Sequence, residues 1–401
     1  MQFKVSPAAN MPSGSSVEIP KHMRAWTHTR SGPPTAVLSL STIPVPALPT
    51  ETSVLIRVSH ASLHPGAAIM IHLVPVLFRK SPAVAETDFS GVVVAVGSKV
   101  PVSLPLSVEE GGSESGRCFP VGTPVFGTVP VGSHLGAAQG ALAEYVAVDV
   151  GMIARKPSDM PFDQAAALAV SGATAMDVFD AAKLQFSSRC LINASCGGIG
   201  HLVVQLTRDA VGTNGHIVGI CSEANAATAR ELGCDETADY KPSTTGETLQ
   251  QHLAKDHAVD SETAFDAIID AHGSQELWLA APTFLKPGNE HPYATVGPKF
   301  MAYSMVGMLN AVAKMIGNSA TPVWLGGVPR AYSQVASFVD TARLERLREL
   351  VEKGQLRVII GSKWDMDGAP KAYEKMQSGH GTGKIVIKVW EPEMKSTEDM
   401  T

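Results

Sequence analysis

The chain is short of charge, of aromatic rings and of cysteine. Charged residues make up 17% and acids outnumber bases, leaving a formal net charge of −6. No basic surplus is available to neutralise phosphates along a polymer, so a nucleic-acid partner is disfavoured. The five cysteines, Cys118, Cys190, Cys196, Cys221 and Cys234, form no Cys-x-x-Cys pair. An odd number at wide spacing points to reduced thiols in a reducing, cytoplasmic compartment rather than to a disulfide framework. It also lacks the clustered Cys and His ligands of a structural zinc site. No uninterrupted apolar run is long enough for a convincing membrane span. The nearest approach, Phe300 to Ile316, contains Asn310 and Lys314, follows Lys299, and reads as a helix. The segment Met1 to Ile19 is rich in Ser, Pro and Gly and lacks the apolar core of a signal peptide. Residues 1–21 are therefore expected to be a disordered leader, and 392–401 a flexible tail.

What is present is length and a change of texture. A chain of 401 residues suggests two or three domains. From about Met23 to Ala154 the pattern is strand-like, with β-branched runs at Val54 to Val58 and Gly91 to Gly97 bounded by turn residues. Val100 to Gly116, with Ser, Gly and Glu between prolines, reads as an exposed loop. Beyond Pro161, helices and strands alternate. Helices are expected at Phe162 to Leu168, Thr174 to Ala182, Ile199 to Ala210, Asn225 to Leu232 and Gln275 to Thr283. Strands are expected at Arg189 to Asn193, Ile217 to Cys221, Ala267 to Asp270 and Tyr293 to Val296. Such alternation builds a parallel sheet with helices on both faces, an α/β fold. A long helix at Thr341 to Glu352 and strands near Leu356 to Ile360 and Lys384 to Val389 close the chain.

The most informative stretch is the turn Ala194-Ser195-Cys196-Gly197-Gly198-Ile199-Gly200 between a strand and a helix. Small residues there serve three needs: a sharp bend, close approach of backbone to a pyrophosphate, and tight packing of helix on strand. The helix N-terminus offers free N–H groups and the positive end of its dipole to phosphates. The alternative is a plain strand-to-helix turn. The strand that follows at the expected distance favours dinucleotide binding. That second strand ends at Cys221-Ser222-Glu223. Ser222 suits NADPH, whereas Glu223 could serve the ribose hydroxyls of NADH. NADPH is preferred.

These residues resemble the medium-chain dehydrogenase/reductase family, in its zinc-independent, quinone-oxidoreductase-like and enoyl-reductase-like branch. The resemblance rests on an ordered set of blocks: Ala61-Ser62-Leu63-His64-Pro65, Thr87-Asp88-Phe89-Ser90-Gly91, Gly122 to Gly127, Gly140-Ala141-Leu142-Ala143-Glu144-Tyr145, Gly172-Ala173-Thr174-Ala175, the glycine turn, Leu232-Gly233-Cys234-Asp235 and Gly383-Lys384-Ile385-Val386. Leu325-Gly326-Gly327-Val328-Pro329-Arg330 resembles a fungal-type subgroup. The resemblance implies a GroES-like β-rich domain, from 22–156 and 345–391, with a Rossmann domain inserted at 157–344. It also implies hydride transfer from NADPH to an activated C=C bond or a quinone, and a homodimer through the Rossmann sheet.

Zinc members of the family place a cysteine in the loop after the first core strand and then a His-Glu pair. Here the loop ends at Leu63-His64 and the later region reads Glu86-Thr87-Asp88, so no metal ligand set is expected. His64 stands where relatives carry Asn near the nicotinamide. It is either a donor or proton source beside a substrate carbonyl, or a structural loop histidine. Thr174 lies in the block that resembles the family's nicotinamide contact, against a reading as a helix-interior threonine. Tyr240 resembles a tyrosine near the adenosine phosphate, and the backbone of Val296 and Gly297 is placed to meet the nicotinamide ribose or carboxamide. Cys196 is either a thiol activated by the helix N-terminus or a small residue in place of serine. Lys384 is a family-block residue with a structural alternative. The Met-rich stretch 301–315 reads as a core or dimer-interface helix, and less well as an apolar lid or membrane-surface helix. The expected substrate is a small apolar carbonyl or quinone. The competing expectation, from a different class, is a redox-silent protein that uses the fold for binding.

Overall fold

The computed structural model describes residues 18–74, 79–102, 118–241, 246–298, 305–379 and 381–392. Most of the expected leader, loop and tail lie outside the described residues.

The β-rich part begins with strands β1 (His22–His28), β2 (Ser39–Pro44), β3 (Ser53–Leu63), β4 (Ala83–Val84), β5 (Asp88–Val96), β6 (Pro124–Thr128), β7 (Tyr145–Asp149) and β8 (Ile153–Arg155). Short helices α1 (Pro34–Val37), α2 (Pro65–Leu73) and α3 (Val131–Gly136) sit between them. β2, β1 and β4 form a small antiparallel sheet. β3 is the long central strand of a second sheet, pairing antiparallel with β5 on one side and with both β7 and a C-terminal strand on the other. Almost every residue of β3 is buried, as expected of a strand paired on both sides at the centre of its sheet.

After α4 (Phe162–Ala166) and α5 (Ala169–Ala181) the chain enters a parallel sheet of β9 (Arg189–Asn193), β10 (His216–Cys221), β11 (Glu236–Asp239), β12 (Ala267–Asp270), β13 (Pro292–Thr295) and β14 (Ala331–Gln334). Their spatial order is β11-β10-β9-β12-β13-β14, so the order reverses at β9. In open α/β sheets ligands bind beyond the carboxyl ends of the strands at such a reversal. Helices α6 (Gly200–Val211), α7 (Ala226–Leu232), α8 (Leu249–Asp256), α9 (Gln275–Ala280), α10 (Met305–Ala320) and α11 (Thr341–Glu352) accompany it. The chain then returns to the antiparallel sheet through β15 (Ile360–Asp365), α12 (Ala369–Gln377) and β16 (Lys384–Lys388), with β16 laid beside β3. This is the expected pairing of a β-rich layer with a doubly wound parallel sheet.

Three expectations need correction. The strand foreseen at Leu356 to Ile360 starts only at Ile360. Leu356 and Val358 are instead buried in the core formed by α5, α6 and α11. The helix foreseen from Thr174 begins five residues earlier, at Ala169. The core reading of the 301–315 helix also fails: α10 exposes Val306, Leu309, Val312 and Ile316 along one stripe. No helix among the described residues is long and apolar enough to cross a membrane.

Candidate functional site

The glycine turn lies at the reversal point, between the end of β9 and the start of α6. Ala194 takes a positive φ of 56°, a conformation that costs a residue with a Cβ. It is held there by Gly197 N–H donating to its carbonyl at 2.8 Å. A side chain on Gly200 would run into that same carbonyl oxygen, so the third glycine is required for α6 to leave the strand at this angle. Ser195 is tied to the next strand: its N–H and its hydroxyl both donate to Ile220 O, at 3.0 and 3.2 Å. Cys196 is buried, while Gly197, Gly198 and Ile199 are half exposed. The turn thus presents backbone rather than side chains.

Ser222 and Tyr240 come together through strand register. Cys221 pairs with Asp239, so the residues after them stand side by side beyond the ends of β10 and β11. Asp239 accepts the N–H groups of Glu223 and Lys241, at 3.1 and 2.9 Å. At the other end, Val296 directly follows β13 and donates its N–H to Asp270 O at 3.2 Å, and Gly297 comes next with φ 105°. Thr174 is half-buried on α5, its hydroxyl donating to Val170 O at 2.7 Å, which leaves its oxygen lone pairs free to accept. All the residues expected to hold a dinucleotide therefore lie at the strand ends or on α5. The cradle that only glycine can fill is the observation that fits the group.

Below this cradle is a buried polar cluster that the sequence reading did not assemble. Lys384, at the start of β16, is buried and donates to Leu63 O at 3.2 Å and Ser171 Oγ at 2.8 Å. Its stem backs onto Gly198 of the turn. Asp88 accepts Val170 N–H at 3.1 Å, on the first turn of α5. Glu86 is fully buried in a left-handed conformation, φ 61°, and accepts from Tyr373 OH at 2.5 Å and from His64 N–H at 3.3 Å. Burial pushes Glu86 up to about 8 and Asp88 up to about 6, with Lys384 pulling each back down. Burial likewise lowers Lys384, and the two carboxylates oppose this. Lys384 acts on both carboxyls through its charge, its own hydrogen bonds going to Leu63 O and Ser171 Oγ, and Asp88 is the more acidic of the two.

His64 ends β3 and caps α2. Its Nδ1 accepts Ala67 N–H at 3.2 Å, which places the proton on Nε2, and Nε2–H donates to Thr87 Oγ1 at 2.8 Å. Burial, reinforced by the charge of Lys384, depresses it to about 3. It has neither a spare N–H nor a proton to give near neutral pH, so of its two readings this geometry supports the structural one. The same contacts bear on zinc. The loop and the later region compared with zinc members meet as His64 against Thr87, an imidazole with both nitrogens engaged beside a hydroxyl, which is a poor zinc donor set. The cysteines all lie elsewhere, buried. Among the described residues no three His, Cys, Asp or Glu side chains cluster as metal ligands.

Comparison with known proteins gives four findings. Residues 232–387 match a family described as zinc-binding dehydrogenase, a span that does not reach His64 or Thr87. The medium chain reductase pydE of Acremonium sp is 31% identical over 389 residues, covering 92% of this chain and 99% of the relative. The trans-enoyl reductase poxH of Penicillium oxalicum is 29% identical, covering 92% and 98%. Among solved structures, a quinone oxidoreductase from Coxiella burnetii superposes with a TM-score of 0.68 at 25% identity, covering 92% of this chain and all of that one.

Proposed function

The chain belongs to the medium-chain dehydrogenase/reductase family and is an oxidoreductase of that type, and from this premise we propose that it reduces an activated C=C bond or a quinone with NADPH and without zinc. The observation that carries this reading is the backbone cradle at Ala194 to Gly200, set at the strand-order reversal and closed by a glycine that no side chain could replace.

Ala194, Ser195, Cys196, Gly197, Gly198, Ile199 and Gly200 would hold the pyrophosphate, with the N-terminus of α6 supplying favourable dipole. Ser222 and Tyr240 would flank the adenosine 2′-phosphate. Thr174 and the backbone of Val296 and Gly297 would orient the nicotinamide ring, which when bound supplies the hydride. The proposed domain division is 22–156 with 345–391, and 157–344.

The chain's own residues then position and exclude. Asp88 fixes the first turn of α5 and so the height of Thr174. Lys384 ties α5 to β3 and supports the turn from below, its positive charge raising the potential where the phosphates lie. His64 has both ring nitrogens engaged, so the proton that completes reduction would come from solvent rather than from the imidazole. The zinc-free reading is supported by the hydroxyl of Thr87 and the spent nitrogens of His64.

We also propose a homodimer. β14 is the edge of the parallel sheet, and Val306, Leu309, Val312, Ile316, Trp324 and Phe338 are exposed on the segments flanking it. An unpaired edge beside an apolar surface suits a second copy paired across a two-fold axis.

The test is a panel of enones, enoyl thioesters and quinones with NADPH and NADH, run with and without a chelator. Chelator-insensitive NADPH oxidation with at least one class is expected. Tight NADPH binding without turnover on any of them would overturn the proposed reaction.

A further inference from the structure

Gln334 is the last residue of β14, and its register partner is Thr295 at the end of β13. Val335 N–H donates to Thr295 O at 3.0 Å and locks that register. The side chain of Gln334 is thereby brought against Gly297. Gly297 takes a φ of 105°, and a side chain on it would begin 2.9 Å from Gln334 Nε2. Glycine is needed there twice, for its backbone conformation and to leave the amide of Gln334 uncovered. Gln334 Oε1 is buried and has no hydrogen-bond partner, and Ser337 Oγ, just beyond the strand, is in the same condition. Buried polar atoms are nearly always bonded, so such atoms mark where the polar groups of a ligand fit. The strand end is not sealed. An open cleft of about 480 Å³ borders it, lined by Gln334, Val335 and Ala336 with Met315 and Ser319 of α10.

We propose that Gln334 recognises the carboxamide of the nicotinamide ring through a two-bond amide pair. This rests on reading the backbone of Val296 and Gly297 as the nicotinamide contact. Two primary amides meet in this way nearby: Gln275 and Asn318 each donate to the other's oxygen, at 2.9 and 3.0 Å. A carboxamide carries both a donor and an acceptor, so it complements a glutamine amide in either orientation. With no partner on Oε1 to lose, Gln334 can turn its amide over about its last bond. Holding the carboxamide fixes the plane of the ring, and with it the face from which hydride leaves. Gln334 would also distinguish a nicotinamide from a ring that lacks the amide nitrogen.

The experiment uses the full chain and measures binding by calorimetry, apart from turnover. The ligands are NADPH, its reduced 3-acetylpyridine analogue, in which a methyl group replaces the amide nitrogen, and adenosine 2′,5′-bisphosphate, which has no nicotinamide. The parent should prefer NADPH to the analogue by about fivefold or more, the worth of one net hydrogen bond. Q334L should bind NADPH about tenfold more weakly and bring that preference within about twofold, as the loss of both bonds requires. Its affinity for the bisphosphate should equal the parent's. Q334E accepts the amide N–H but repels the analogue's carbonyl, so it should keep the preference. A Q334L that retains the preference, or that loses affinity for the bisphosphate as much as for NADPH, overturns the pairing. Should Q334L fail to fold, a Q334E without preference does the same. A parent that binds NADPH and the analogue equally overturns the pairing alone. A parent that binds none of the three overturns the dinucleotide reading, and the pairing falls with it.

Discussion

The N–H of Val170 donates to the Asp88 carboxylate at 3.1 Å, joining the first turn of α5 to the antiparallel sheet. The negative charge sits at the positive end of the helix that carries Thr174, and Lys384 lies between this pair and the glycine turn. Replacing Lys384 with Met leaves Asp88 buried without its counter-charge. Leaving buried polar groups such as Leu63 O and Ser171 Oγ without their donor costs about 1–3 kcal/mol. K384M is expected to lose stability on that scale and to bind NADPH more weakly. K384M/D88N should be less damaged than the sum of its single changes, as read in a double-mutant cycle of denaturant midpoints.

Gly200→Ala places a methyl group on the Ala194 carbonyl, in a turn whose strained φ leaves no slack. The backbone must shift, at a cost of about 1–3 kcal/mol. A lower Tm together with at least tenfold weaker NADPH binding is expected. Normal binding in G200A would mean that the turn does not cradle the phosphates.

Protonation gives opposite slopes at two neighbouring residues. Glu86 is raised from 4.5 to about 8, so the folded state holds the proton that the unfolded state gives up. Its contribution is full below 4.5 and is lost as pH rises through 8. His64 is lowered from 6.5 to about 3, so its contribution is present above 6.5 and is lost as pH falls toward 3. Glu86→Gln keeps the shape and cannot ionise. Its Tm should fall less than the parent's between pH 5 and pH 8, the window set by Glu86. A parallel pair of Tm–pH curves would show that Glu86 is not the titrating group. Tyr373→Phe, which removes its hydroxyl donor, should steepen the parent's fall over the same window.

Ser222→Asp adds a carboxylate where the 2′-phosphate is proposed to lie and where an NADH site would bind ribose hydroxyls. The ratio of kcat/KM for NADPH to that for NADH should drop at least tenfold, mostly through KM for NADPH. An unchanged ratio would remove Ser222 from the phosphate site.

How much could be read in advance depended on sequence distance. The glycine turn is local, and its strand, bend and helix fall within a few residues, so periodicity and small residues exposed it. The start of α5 did not show. Ala169-Val170-Ser171-Gly172 holds no strong N-terminal signal of its own, because its cap is Asp88, 82 positions away in the chain. β14 and α12 were missed because a four-residue strand and a nine-residue helix carry little periodicity. At Cys196 the helix N-terminus suggested an acidic thiol, whereas the neighbouring Cys221 and burial in the core raise it, which favours its reading as a small residue in place of serine.

The sequence by itself determined the glycine turn, the alternating strand–helix order and the absence of a cysteine from the loop after the first core strand, since each is a property of adjacent residues or of residue type. Only the tertiary structure decided the state of the cleft floor. Tyr373 meets Glu86 across 287 positions and Lys384 meets Ser171 across 213. The protonation of such a group is set by burial and by which charge shares its cavity, and no pattern along the chain records either.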